Sequence, residues 1–188
     1  MTIDLEVLAY DDTPLGPLCL RRRKTLSEPR QWVTEVTLNH EFLMSSLHTD
    51  SERALATIPL QQDSAENRRV LVGGLGLGYT AHAALACEGV SHVQVIEYLP
   101  QVIGWLRDGM TPLAKELNGS KRLEIDEGDI FERLLGAATV PPFDAILIDI
   151  DHSPDDQLAK KHDPFYQVDG LRSAAEHLTR HGQFALWS

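Results

Sequence analysis

Residues 68–80, Arg-Arg-Val-Leu-Val-Gly-Gly-Leu-Gly-Leu-Gly-Tyr-Thr, limit the possible folds more than any other stretch. An apolar run, Val70 to Val72, passes straight into four glycines in six residues: Gly73, Gly74, Gly76 and Gly78. An alanine-rich, helix-prone segment follows from Tyr79 to Cys87. A short apolar run bounded by glycine is the pattern of a strand buried on both faces. Glycines let the next turn approach a ligand closely, and the free N–H groups at a helix start face that ligand. The stretch therefore predicts a buried strand, a nucleotide- or nucleoside-binding loop and a helix.

Everything after the loop repeats this alternation. Strands are predicted over 92–97, 122–126, 143–149 and 183–187, and helices over 79–88, 100–117, 130–138 and 168–180. Pro100 opens the second of these helices and Asn118-Gly119 closes it. Five strands separated by helices imply parallel pairing, right-handed crossovers and helices on both faces of one sheet. What precedes the loop is different. Residues 3–10, 18–25 and 31–38 read as strands, the last with strict period two, so residues 1–45 form a small antiparallel β region. A helix over 50–58, capped by Asp50 or Ser51, and a polar connector over 61–67 follow. The expected organisation is a β region plus short helix over 1–60 and an α/β, doubly wound, mainly parallel domain over 68–188. The run Arg21-Arg22-Arg23-Lys24 reads as a solvated or edge strand protected by charge rather than as a binding patch.

Charge narrows the partners. The chain has 188 residues and a formal net charge of −11, which repels phosphate-rich partners and attracts a cationic small molecule. Nucleic acid and membrane are therefore not expected partners. Cys19 and Cys87 form no metal- or disulfide-type pattern, the N-terminus is unlike a signal peptide, and no apolar run reaches the ~20 residues needed to span a bilayer. A cytoplasmic location is expected. His177 and His181 lack a third ligand, so no metal site is expected.

In a doubly wound sheet the ligand lies outside the carboxyl ends of the strands. Three strand ends after the glycine loop carry candidate groups, and so does the loop before the last helix. Glu97, 19 residues beyond Gly78, is placed to accept both hydroxyls of a ribose, with Tyr98 beside it. Asp129 and Ile130 can hold an adenine amino group and cover the ring face, and Asp129 also suits a helix N-cap. The segment Asp149-Ile150-Asp151-His152-Ser153-Pro154 brings two acids to the end of a buried strand, where a carboxylate can take a proton from an amine or hold an ammonium group. His152 reads as a loop hydrogen-bonding residue. Tyr166 in Pro164-Phe165-Tyr166 can wall the pocket.

Taken in order, ATIPL (56–60), VLVGGLGLG (70–78), VQVIEYLPQVI (93–103), LEIDEGDIFERL (123–134), FDAILIDIDHSP (143–154) and DPFYQVDGLRSAAEHLTRHGQFALW (163–187) resemble the spermidine synthase (polyamine aminopropyltransferase) family, within the class I S-adenosylmethionine-dependent methyltransferase superfamily. The β region in front is also similar to that family's N-terminal domain. The resemblance implies a Rossmann-like methyltransferase fold and an enzyme of polyamine biosynthesis. Its co-substrate would be decarboxylated S-adenosylmethionine or S-adenosylmethionine, without a metal. It places that ligand on Gly73, Gly74, Leu75, Gly76, Gly78, Glu97, Tyr98, Asp129 and Ile130. It makes Asp149 the acid at the reacting amine, with Asp151 near it, and assigns the amine acceptor to Asp151, Glu52 and Tyr166.

The sequence departs from that pattern in places. The family usually carries an Asp where this chain has Gly76, and its Tyr-His pair falls on Ser51-Glu52. Aminopropyl transfer to an amine such as putrescine is the leading expectation. Methyl transfer to another acceptor, a catalytically silent nucleoside-binding scaffold and a Rossmann dehydrogenase are the alternatives. The strand pattern stops at a fifth strand where the fold class normally has seven, so a homodimer partner or further sequence is expected to cover that edge.

Overall fold

The structure, a computed structural model, describes residues 4–62, 65–150 and 162–187. Asp151, His152 and the rest of 151–161 lie outside the described residues.

The N-terminal part is a four-stranded antiparallel sheet in the order β1-β2-β3-β4: β1 Leu5–Thr13, β2 Gly16–Lys24, β3 Trp32–Leu38 and β4 Glu41–Ser45. The fourth strand has no sequence counterpart above. It is reached through a two-residue turn, Asn39-His40, with φ of 51° and 68°. Two positive φ angles are what a hairpin turn matching the twist of its strands requires, and Asn tolerates them. The period of two in β3 works as expected on one face, where Val36 and Leu38 join the core. On the other face Glu35 is buried but not orphaned. Arg21 and Arg23 reach it at 3.1 Å and 2.7 Å, while Arg22 pairs with Glu6 at 2.7 Å. The basic run is thus committed to ion pairs across the sheet. Its strand is interior, paired on both sides, which corrects the expectation of an edge.

Helix α1, Asp50–Gln61, leads into the second sheet. This sheet is parallel, in the order β7-β6-β5-β8-β9: β5 Arg68–Gly73, β6 Val90–Glu97, β7 Leu123–Glu127, β8 Phe143–Ile148 and β9 Leu178–Leu186. The chain builds outward from β5 to β7, then returns to the other side of β5 for β8 and β9. The switch lies between β5 and β8, where Gly73 pairs with Ile148. Val70, Leu71, Val72, Ala145, Ile146 and Leu147 are fully buried, as an apolar run covered on both faces must be.

Two predicted helices change. The segment 100–117 is not one helix but α3, Pro100–Arg107, and α4, Ala114–Asn118. Gly109 adopts φ 78°, and the Gly109 and Met110 amides bond back to the Leu106 and Trp105 carbonyls. Those two bonds form a left-handed helix stop, and Pro112 follows it. The last helix, α6, covers Val168–Ala175 rather than running to 180, because Leu178 already pairs with Phe143 in β9. Helices α2, Tyr79–Ala86, and α5, Ile130–Leu135, stand where expected but are shorter. Among the described residues no helix is long and apolar enough to cross a membrane.

Candidate functional site

The glycine loop is shaped by what lies against it. Gly74 has φ 92°, and a Cβ there would collide with the backbone carbonyl of Asp149. Only glycine lets the ends of β5 and β8 come this close. Gly76 also has positive φ, 51°, and a Cβ built on it would lie 3.1 Å from the sulfur of Met44. The Gly78 amide donates to the Leu75 carbonyl at 2.8 Å, closing the turn before α2 begins. Gly73 is still strand, and its carbonyl accepts the Asp149 amide at 2.9 Å.

Glu97, at the end of β6, is buried beside this loop. Its Oε2 accepts the Leu75 N–H and its Oε1 the Leu99 N–H, both at 2.8 Å. Burial pushes its pKa up, and the amides of Leu99, Leu75, Gly76 and Tyr98 oppose that by favouring the anion. Each carboxylate oxygen has a further lone pair, so the side chain can be held by the backbone and still accept ligand hydroxyls.

Asp129, at the end of β7, caps α5. Its Oδ1 accepts the Phe131 amide at 2.9 Å and the Glu132 amide at 3.4 Å. Ile130 is buried against Gly73, close to that glycine's Cα.

Asp149 has a different setting. The Thr80 hydroxyl, in the first turn of α2, donates to its Oδ2 at 2.6 Å. Burial raises the Asp149 pKa to about 6, the Thr80 hydrogen bond works against this, and the negative charge of Glu52 on α1 adds to the rise. The Thr80 oxygen also lies 3.2 Å from the Glu52 carbonyl, which ties α1 to the site.

Two cavities open above these strand ends. The first, about 100 Å³ in volume, lies between the two sheets and opens to solvent. Glu97, Tyr98, Asp129, Ile130, Gly74 and Asp149 line it from the parallel domain. Leu15, Leu18, Val36, Leu38, Leu43 and Met44 close it from the antiparallel sheet. The second cavity contains Glu52, Ser51, His48, Tyr79, Trp187 and Asp149. It gathers acids and aromatic rings, the surfaces that attract an organic cation.

The structure thus brings the expected Gly74, Gly76, Glu97, Tyr98, Asp129, Ile130 and Asp149 to one cleft, and Leu75, Gly78 and Glu52 to the neighbouring cavity. It does not bring Tyr166 to either. That ring meets Phe165 edge-on at 5.2 Å, in an aromatic cluster with Phe131. Residues that the sequence did not single out also line these walls: Met44, Trp105, His162 and Trp187. His162 is buried with its ring 4.2 Å from Phe131. Thr80 was overlooked too, although its place two residues after the last loop glycine was a usable signal.

No protein-family model matches the chain, and no curated protein matches it. Solved structures do. A spermidine synthase in complex with the transition-state analogue AdoDATO superposes with a TM-score of 0.75 at 18% identity, over 96% of this chain and 57% of that one. The spermidine synthase of Thermotoga maritima gives 0.71 at 17% identity, over 96% and 55%. The chain therefore spans little more than half the length of either protein. Two sheets in these orders, matched over nearly the whole chain, make this a spermidine synthase-like fold.

Proposed function

We propose that the protein transfers an aminopropyl group from decarboxylated S-adenosylmethionine to an amine such as putrescine. The observation that carries this reading is Asp149, a carboxylate with pKa about 6 at the boundary between the cleft lined by Glu97 and Asp129 and an acidic cavity. In the reading, Glu97 accepts the ribose hydroxyls, Asp129 and Ile130 meet the adenine, and Glu52 attracts the far ammonium of the acceptor. Asp151 is assigned to the same ammonium from sequence position.

The chemistry asks little of the protein beyond alignment and a proton acceptor. The amine nitrogen uses its lone pair to form a bond to the carbon on sulfur. The C–S bond breaks with its electron pair going to sulfur, which leaves as a neutral thioether nucleoside. The proton lost by the amine goes to Asp149 and then to water. An alkylammonium has a pKa of about 10, so a carboxylate raised to about 6 is a better-matched base than one at 3.8. Fixing the two substrates in line supplies much of the rest, up to about 7–11 kcal/mol in favourable cases.

The test is to incubate the protein with decarboxylated S-adenosylmethionine and putrescine and measure spermidine together with methylthioadenosine. Stoichiometric formation of both is expected. No propylamine transfer, together with tighter binding of S-adenosylmethionine than of its decarboxylated form, would overturn the reading in favour of methyl transfer. That second reading has one observation behind it. Gly76 offers no side chain to pair with an amino group on the transferred chain, and the Met44 thioether packs at that point instead.

A further inference from the structure

The two cavities adjoin. Both are lined by Leu43, Met44, Gly76, Asp149 and Ile150, so a ligand reaching from the nucleoside cleft into the acidic cavity passes between these residues. On one side stand Gly76 and Asp149, fixed by backbone. On the other stands Met44, delivered by the antiparallel sheet.

The way Met44 gets there is unusual. In β3 and β4, Val36 pairs with Met44 but Thr37 pairs with Phe42, so Leu43 is an extra residue opposite no partner. Consecutive side chains of a regular strand point to opposite faces. A bulge breaks that rule and re-aims the strand, and bulges collect beside functional sites. Here it lets Leu43 and Met44 both border the space over the glycine loop. The Met44 sulfur then comes to within 3.1 Å of where a Gly76 side chain would start. Glycine on one side and a flexible, unbranched thioether on the other make the space between them follow the Met44 rotamer.

We propose that Met44 is the threshold residue of the site: it determines which chain, attached at the 5′ sulfur of an adenosyl ligand, can extend from the cleft into the acidic cavity. This rests on the adenosyl reading above. Its ligand class is an adenosine carrying a 5′ thioether arm that ends in an amine. Such a molecule anchors its nucleoside at Glu97 and Asp129 and its amine near Asp149 and Glu52, and it must pass Met44. Adenosine, which lacks the arm, reports what Met44 contributes to the cleft wall alone.

Calorimetry with these two probes tests the proposal on wild type, Met44→Trp and Met44→Ala. A tryptophan should block the passage, weakening the armed ligand at least about tenfold more than it weakens adenosine. Alanine should widen it, so that an armed ligand with a benzyl group on its amine gains about fivefold over wild type relative to the change seen for adenosine. Thermal unfolding reports whether each variant folds. If the tryptophan variant does not, the alanine variant and the benzyl ligand decide the matter. Parallel changes for adenosine and the armed ligand, or no change for either, overturn the threshold role while leaving the adenosyl reading intact. Failure of wild type to bind either probe overturns the adenosyl reading and this inference with it.

Discussion

Glu97 and Asp149 are two carboxylates at the ends of strands that flank β5, one on each side of the glycine loop. Burial raises the pKa of both. They differ in what pushes back. Glu97 faces backbone amides from its own loop and from the glycine loop, donors that cannot accept, rotate away or lose a proton. Asp149 has one hydroxyl, which can both donate and accept, and a second acid near it. A carboxylate caged by amides is a fixed acceptor. One held by a hydroxyl beside another acid can trade its proton. On the proposed reading, the same functional group serves as an anchor at one strand end and as a base at the other.

The largest effect expected from breaking this comparison is at Asp149. Replacing it with Asn keeps the shape and the Thr80 contact but removes the base, so kcat for amine transfer should fall about 10²–10⁴-fold. Its effect on stability should run the other way. The folded pKa, about 6, lies above the unfolded value of 3.8, so folding takes up a proton between them. The stabilising contribution is complete below 3.8 and is lost as pH rises through 6. Above that, the ionised acid costs up to about 3 kcal/mol. Asp149→Asn should therefore unfold at the same or a higher temperature than wild type at pH 7.5, and lose a source of pH dependence between 4 and 6. A variant less stable than wild type at pH 7.5, in calorimetry or thermal circular dichroism, would show that Asp149 is a structural anchor after all.

Glu97 should show the opposite signature. In Glu97→Gln one carboxylate oxygen becomes an NH2 group facing a backbone N–H, donor against donor, in a buried place. The expected cost is about 2–3 kcal/mol of stability and about 10–100-fold in adenosine affinity, read by denaturant melts and calorimetry. Unchanged stability would mean that the amide cage does not fix this side chain.

How far the sequence reveals these two acids depends on where their neighbours come from. The parallel sheet follows from apolar runs that end in glycine or acid, a local pattern, and Glu97, Asp129 and Asp149 inherit their places from it. The glycine loop is legible locally, but the need for glycine at 74 comes from the Asp149 carbonyl, a distant segment brought against it by the sheet. What was hidden depends on contacts between distant segments. Met44 reaches Gly76 only because of a bulge in a strand entered through Asn-His, a turn without the usual glycine. Arg21 and Arg23 look like the charges of a solvated or edge strand until Glu35, a dozen or so residues on, is seen beneath them. Tyr166 looks like a pocket wall because it follows Pro-Phe, but Phe131 and Phe165 offer it an aromatic cluster. The break in 100–117 was legible: Gly109 and Pro112 both sit inside the segment, and apolar periodicity on each side masked them.

The finest test of the comparison perturbs Asp149 without touching it, through its two neighbours. The Thr80 hydroxyl favours the ionised form, and the Glu52 charge opposes it. Thr80→Val removes the donor at nearly constant volume, so the acid limb of kcat/KM should move upward from about 6. At pH 7 that leaves less ionised base, and activity should fall about two- to fivefold. Glu52→Gln removes the opposing charge, so the same limb should move downward, with a separate rise in KM for a cationic acceptor. The double variant should return the limb towards wild type, since the two displacements have opposite sign and act on one group. pH–rate profiles of the three variants read all of this. Shifts in the same direction would mean that the measured limb belongs to another group, and that Asp149 differs from Glu97 in its partners without differing in its job.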